Sequence, residues 1–190
     1  MAECNPHSVY IASEKAMEIV DNKALLLTLR NPNRITTVIP KSKAINESQV
    51  LVNWGIDEAQ VLKNLKLKNV PSPIIGRYDW PGMYKPFAHQ ITTSAFLTMN
   101  RRAFCLNEQG TGKTGSVIWA ADYLMKQNRI KRVLVICPLS IMDSAWRADL
   151  FRFAMHRSVD IAYGASKTRK KIIEGDAEFI IINYDGIEIV

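Results

Sequence analysis

Hydrophobic and polar positions fall into two rhythms along the chain. From residue 86 onward, continuous apolar runs with no polar alternation, RVLVIC (132–137), SVDIAY (158–163) and EFIIIN (178–183), alternate with segments of helical spacing. Strands that are apolar on both faces imply a parallel sheet covered on both sides. FAHQITTSAFLTM (87–99) predicts a helix with Pro86 at a first-turn position, and AFCL (103–106) predicts a short buried strand. A helix is expected after the glycine loop, through about Met125, and another over IMDSAWRADLFRF (141–153), capped by Ser140. A basic helix around Lys167 to Glu174 precedes the last strand.

Before residue 69 the rhythm is shorter. KALLLTLR (23–30) and RITTVIP (34–40) read as strands separated by a turn at Asn31-Pro32-Asn33, and SQVLVNW (48–54) as a further strand. Asp57 is placed to cap a helix running through Leu67, with Val61, Leu62 and Leu65 on one face. Asn69-Val70-Pro71-Ser72-Pro73 breaks this pattern and Trp80-Pro81-Gly82 marks a second turn, so residues 69–86 read as a linker or a wrapped connection. The expected organisation is a small α+β accessory unit with linker over 1–79, and the first part of an α/β lobe over 80–190.

Composition narrows the class. A chain of 190 residues with 47% hydrophobic and 23% charged positions is that of an ordinary globular protein. No apolar run reaches the length of a membrane span, and MAECNPHSVY lacks the pattern of a secretory signal. Cys4, Cys105 and Cys137 are too few and too scattered for a disulfide framework or a zinc cluster. Cys105 and Cys137 sit in apolar runs, so buried free thiols and a reducing cytoplasm are expected. The net charge of +7 is uneven: Lys126 to Lys171 holds eleven Lys/Arg against three Asp, a balance of +8. Such a window is either a solvated basic face or a surface for phosphate backbones.

LNEQGTGKTGS (106–116) carries the chemistry. A polyphosphate needs donors that approach without side-chain bulk, and Gly110 and Gly112 allow a tight backbone whose N–H groups point at phosphate. The helix beginning beside Gly112 adds its positive end, Lys113 can bridge two phosphates, and the Thr114 hydroxyl can ligate Mg²⁺. Asn107 stands where such loops usually place their first glycine, yet its presence removes none of the inward donors. His89 and His156 show no convergent partners in the sequence, and Trp146 reads as a core residue.

These residues bear a family resemblance. Asn107 to Thr114, including Glu108, Gln109 and Thr111, resembles motif I of helicase superfamily two, and of its Swi/Snf-type ATPases in particular, where an acidic or amide residue replaces the first glycine. VLVICPLSIMDSAWRADLFRF (133–153) is similar to motif Ia, KPFAHQ to a segment ending in an adenine-reading Gln, and FIIINYDGI (179–187) to a strand with a Tyr-acid pair. The N-terminal block with YDWPG is reminiscent of short helicase-like proteins of bacteriophages. The resemblance implies a RecA-like parallel sheet covered by helices, here an incomplete first motor lobe. It implies ATP with Mg²⁺ as cofactors, with Gln90 reading adenine. DNA is the implied partner, with Pro138, Leu139 and Ser140 gripping its phosphates and Arg147 and Arg152 nearby. If the source is a phage, the compartment is the host cytoplasm.

Hydrolysis in that superfamily uses a later D-E-x-x box. Asp57-Glu58-Ala59-Gln60 precedes the phosphate loop and reads instead as a helix start, and no Asp-Glu pair follows Thr114. The expected identity is therefore the N-terminal portion of a longer DNA-dependent motor whose second lobe is missing from this chain, inactive alone. A non-catalytic ATP- or DNA-binding regulatory module complete at this length stays open. A small-molecule kinase is disfavoured by the lack of a lid or a substrate-binding Arg cluster near the site.

Overall fold

The computed structural model describes residues 17–189; Cys4 and MAECNPHSVY lie outside them. The chain divides into two compact units, Met1–Tyr78 and Asp79–Val190.

The first unit runs β1 (Met17–Val20), β2 (Ala24–Thr28), α1 (Asn33–Val38), β3 (Lys43–Ala44), β4 (Gln49–Asn53), α2 (Ile56–Asn64) and α3 (Ile74–Arg77), with an antiparallel sheet ordered β1-β2-β4-β3. Asp21 and Asn22, both at positive φ (49° and 52°), make the tight turn of the first hairpin. These two residue types tolerate that conformation best after glycine. Alternation in β2 and β4 sends Leu25, Leu27, Val50 and Val52 to one face, where they pack with Ile35, Ile39, Trp54 and Leu62.

RITTVIP is not the expected strand. Its first five residues lie in helix α1, because Ile35 and Ile39 fall one helical turn apart and both enter the core. Thr36 and Thr37 return their hydroxyls to the Asn33 carbonyl, each at 2.9 Å. Asp57 does not cap α2: Gly55 takes the N-cap position, and Asp57 and Glu58 lie in the first turn, where they favour the helix dipole. The helix ends at Asn64 rather than Leu67. Lys66 turns to φ 68°, the Leu67 amide bonds back to the Leu62 carbonyl at 3.1 Å, and Leu67 drops into the core. Of the linker and the wrapped connection expected over 69–86, residues 71–78 follow the second. Trp54 Nε1 donates to the Pro71 carbonyl (2.9 Å) and Arg77 Nη1 to the Trp54 carbonyl (2.8 Å), which fastens α3 to the first unit.

The second unit runs α4 (Ala88–Thr98), α5 (Lys113–Lys126), β5 (Val133–Ile136), α6 (Ala148–Phe153), β6 (Val159–Ala162), α7 (Ser166–Ile173) and β7 (Phe179–Ile182). Its sheet is parallel and ordered β5-β7-β6. β7 is buried along its whole length. Phe179 and Ile181 face a core made with Ile118, Met142 and Leu150, while Ile180 and Ile182 meet Ile172 and Ile173 of α7. Pro86 lies outside α4, just before the Phe87 N-cap. Among the described residues, no helix is long and apolar enough to cross a membrane.

Three expectations fail in this unit. AFCL forms no strand: Phe104 and Leu106 are 87% and 88% exposed, and Cys105 is only half-buried. An apolar run becomes a strand only where a ladder and a covering layer reach it, and the three paired strands bond only to one another. Coverage on both faces fails at β5, where Leu134 and Ile136 are 40% and 42% exposed. They are in register with Ile180 and Ile182, on the face that α7 covers over β7. As the crossover between parallel β6 and β7, α7 runs along the strands, and a helix about 10 Å wide covers only about two of them. Finally, residues 139–153 are not one helix capped by Ser140. A 3₁₀ turn (Leu139–Ile141) leads into a π-helical stretch (Met142–Arg147) before α6, and the Ser140 carbonyl accepts the Ser144 hydroxyl at 2.9 Å.

Candidate functional site

The glycine loop is built against helix α4. That helix buries a polar stripe, Gln90, Thr93, Ser94 and Thr98, at helical spacing. The stripe is buried because loop and helix backbone lie opposite it: Ser94 Oγ donates to the Ser116 carbonyl at 2.9 Å, and Thr93 Oγ1 to the His89 carbonyl at 2.8 Å. Asn107 Nδ2 donates to Thr93 Oγ1 at 2.9 Å, so the position that usually holds glycine carries a side-chain tie instead.

Gly110 (φ 77°) and Gly112 (φ 71°) turn the loop through the left-handed region, where glycine alone is unstrained. Gly112 is the N-cap of α5, which makes Lys113 and Thr114 the first two helical residues. Lys113 Nζ folds back over the loop and donates to the carbonyls of Asn107 (2.9 Å) and Glu108 (2.7 Å). Thr111 Oγ1 donates to the Glu108 carbonyl at 2.8 Å, closing the turn. Glu108 and Gln109 are exposed at the tip.

Gln90 is buried. Its Oε1 accepts the Phe87 amide at 2.9 Å, and Nε2 lies 3.5 Å from the carbonyls of both Thr111 and Gly112. His89 also has a partner: Nε2 lies 3.0 Å from the Thr111 carbonyl, and its ring stacks on Phe87 at 5.7 Å. The structure thus assembles Gln90, Thr111, Gly112 and Lys113, and adds Thr93 and His89, which motif reading passed over. The signal for Thr93 was the run of polar residues at helical spacing on a segment otherwise read for its apolar face.

The expected DNA residues are less convergent. Pro138, Leu139 and Ser140 lie exposed just beyond the carboxyl end of β5, the end where open parallel sheets place ligands. Arg147 is paired with Asp143, and Arg152 with Asp149 at 3.0 Å, so both guanidinium groups are partly neutralised by helical neighbours. Trp146 packs on the core, as expected.

A second polar cluster lies at the far end of α5. The fully buried Asp122 carboxylate accepts Arg157 Nε at 2.6 Å and meets His156 Nε2 at 2.8 Å, which corrects the expectation of a partnerless His156. Arg157 also pairs with Glu178, and Glu178 accepts the Ser158 amide at 3.1 Å. Burial alone would lower the Arg157 pKa, but hydrogen bonds to Asp122 and Glu178 outweigh it and raise the group above its ordinary value.

A family model described as "Type III restriction enzyme, res subunit" matches residues 59–189. The chain belongs to this family. The match spans the glycine loop, the parallel sheet and both clusters, and agrees with a superfamily-two ATPase. No curated protein matches the chain in sequence. Among solved structures, the Sulfolobus solfataricus SWI2/SNF2 ATPase core in complex with dsDNA is similar at 27% identity and a TM-score of 0.48. That likeness covers 56% of this chain and 23% of the other, so the present chain spans under a quarter of that relative's length.

Proposed function

We propose that this res-subunit family chain is the ATP-binding N-terminal portion of a DNA-dependent ATPase of helicase type. The observation that carries the reading is the placement of Lys113: it opens a fourteen-residue helix directly after a left-handed Gly112, with its ammonium held over the loop by carbonyl oxygens alone. Phosphate oxygens are stronger acceptors for the same donor and would take the place of those carbonyls. The loop fits the group, since a methyl built at Gly110 meets nothing within 4 Å.

Each residue then has one task. Backbone N–H groups around Gly110 to Lys113 bind phosphate, reinforced by the α5 dipole. The Lys113 ammonium bridges terminal phosphates, and Thr114 offers its hydroxyl to Mg²⁺, which screens the phosphate charge. Gln90, at the edge of the loop, supplies the amide for adenine. Pro138, Leu139 and Ser140, with the basic groups of α6 and α7, form the DNA side.

Titration calorimetry of ATP with Mg²⁺ tests the core of this reading. Lys113→Ala should lose roughly 2–3 kcal/mol, the scale of charge-assisted hydrogen bonds. Equal affinities for the two proteins would overturn it.

A further inference from the structure

We infer that Asn107 is a positioning residue for the phosphate loop, acting through Thr93. This rests on the reading of the loop as a nucleotide site and assigns the residue at its missing glycine.

The geometry makes a closed circuit. The Thr93 hydroxyl spends its proton on the His89 carbonyl (2.8 Å), which leaves its lone pairs for Asn107 Nδ2 (2.9 Å). The Asn107 carbonyl accepts Lys113 Nζ (2.9 Å), and Lys113 begins the helix that Ser94 ties to α4 through the Ser116 carbonyl (2.9 Å). His89 returns to the loop at the Thr111 carbonyl (3.0 Å). Both shoulders of the loop are therefore pinned to one face of α4, the entry by Asn107 and the exit by His89 and Gln90.

A glycine at position 107 would leave the entry free to sample left- and right-handed backbone, with the freedom lost again on binding. The asparagine removes that freedom beforehand, so phosphate meets a loop already shaped. Segment 103–106, which precedes it, belongs to no strand and gives the entry no other anchor in the sheet. The latch does what a preceding sheet strand would otherwise do.

The test uses the full chain with Thr93→Val, Thr93→Ser, Asn107→Ala and the Asn107→Ala/Thr93→Val double variant. Amide hydrogen exchange at Ser116, whose N–H bonds the Gly112 carbonyl (3.2 Å), and in the following turn of α5 reads the latch without nucleotide. Thr93→Val and Asn107→Ala should each speed exchange about three- to tenfold, the equivalent of one net hydrogen bond. Thr93→Ser should behave as wild type, and the double variant should add little to either single change. Binding of a fluorescent ADP should weaken by the same factor and pattern, with the thermal midpoint of the rest of the chain unchanged. Wild-type exchange in both single variants, or full additivity in the double, overturns the latch. Lys113→Ala serves as the separate control: unchanged ADP affinity there removes the nucleotide reading, while the exchange result still decides the latch.

Discussion

Arg157 donates its Nε–H to the Asp122 carboxylate at 2.6 Å, and that carboxylate has no exposure to solvent. A charge so placed is costly without its partner. Arg157→Met should lose about 1–3 kcal/mol in urea unfolding, less than a fully stranded buried ion, because His156 (2.8 Å) and Lys126 (3.5 Å) still meet Asp122. Arg157→Lys should recover part of this, because it keeps the charge but not the fork that reaches Asp122 and Glu178 together. A loss below about 0.5 kcal/mol for Arg157→Met would mean that His156 and Lys126 hold the Asp122 charge without Arg157.

Gly112 and Gly110 should respond differently to alanine. Both sit at positive φ, so each substitution carries a backbone cost of about 1–2 kcal/mol. At Gly112 the new methyl would also run into the Gln90 side-chain amide, whereas at Gly110 it meets open space. Nucleotide affinity and thermal midpoint, measured together, should fall further for Gly112→Ala than for Gly110→Ala. The reverse order would show that the Gln90 contact does not constrain the loop.

For nucleic acid, the acidic neighbours matter as much as the arginines. If Arg147 and Arg152 touch phosphate, reversing both to Glu should weaken all DNA sequences alike and flatten the salt dependence, by about 0.9 in log–log slope per contact on duplex. Asp143→Asn and Asp149→Asn should have the opposite effect, since they release guanidinium groups now held by helical neighbours. These pairs are largely exposed, so each gain should be no more than about fivefold. Fluorescence anisotropy across a salt series checks both directions; unchanged binding in all three variants would assign the basic window to solubility.

The cysteines should separate by reactivity. Burial raises the Cys137 pKa and disfavours its thiolate, while Cys105 lies half-buried in the open 103–106 segment. In a Cys4→Ser background, a chromogenic disulfide should titrate one thiol quickly and the second only with urea. Two fast thiols would contradict the burial of Cys137.

What could be read from the sequence follows from where the forces are local. The runs that became β5, β6 and β7 announced themselves as short, largely apolar stretches between helical segments, although only β7 is buried on both faces. The helix start at Gly112-Lys113-Thr114 was legible because a glycine able to take positive φ directly before a helical run marks one locally. RITTVIP misled because Ile, Thr and Val favour strands, while the spacing of Ile35 and Ile39 favours a helix only once a core exists to receive both. AFCL misled for the converse reason: its composition suits a strand, but pairing depends on neighbours its own residues do not specify. Thr93 showed only as one of a polar run at helical spacing and Arg157 not at all, since the role of each comes from a partner brought close by folding.

Phe104 and Leu106 in their open segment, and Leu134 and Ile136 on the uncovered face of β5, give the isolated chain oil-like surface next to a strongly basic half. These two surfaces answer oppositely to electrolyte. Sulfate or phosphate salts strengthen contact between apolar surfaces, whereas the same ions dissolve attachment to a polyanion. Particles that grow in light scattering as sulfate rises are thus copies of the chain meeting through apolar groups. Those that disperse under the same titration are held by carried-over nucleic acid.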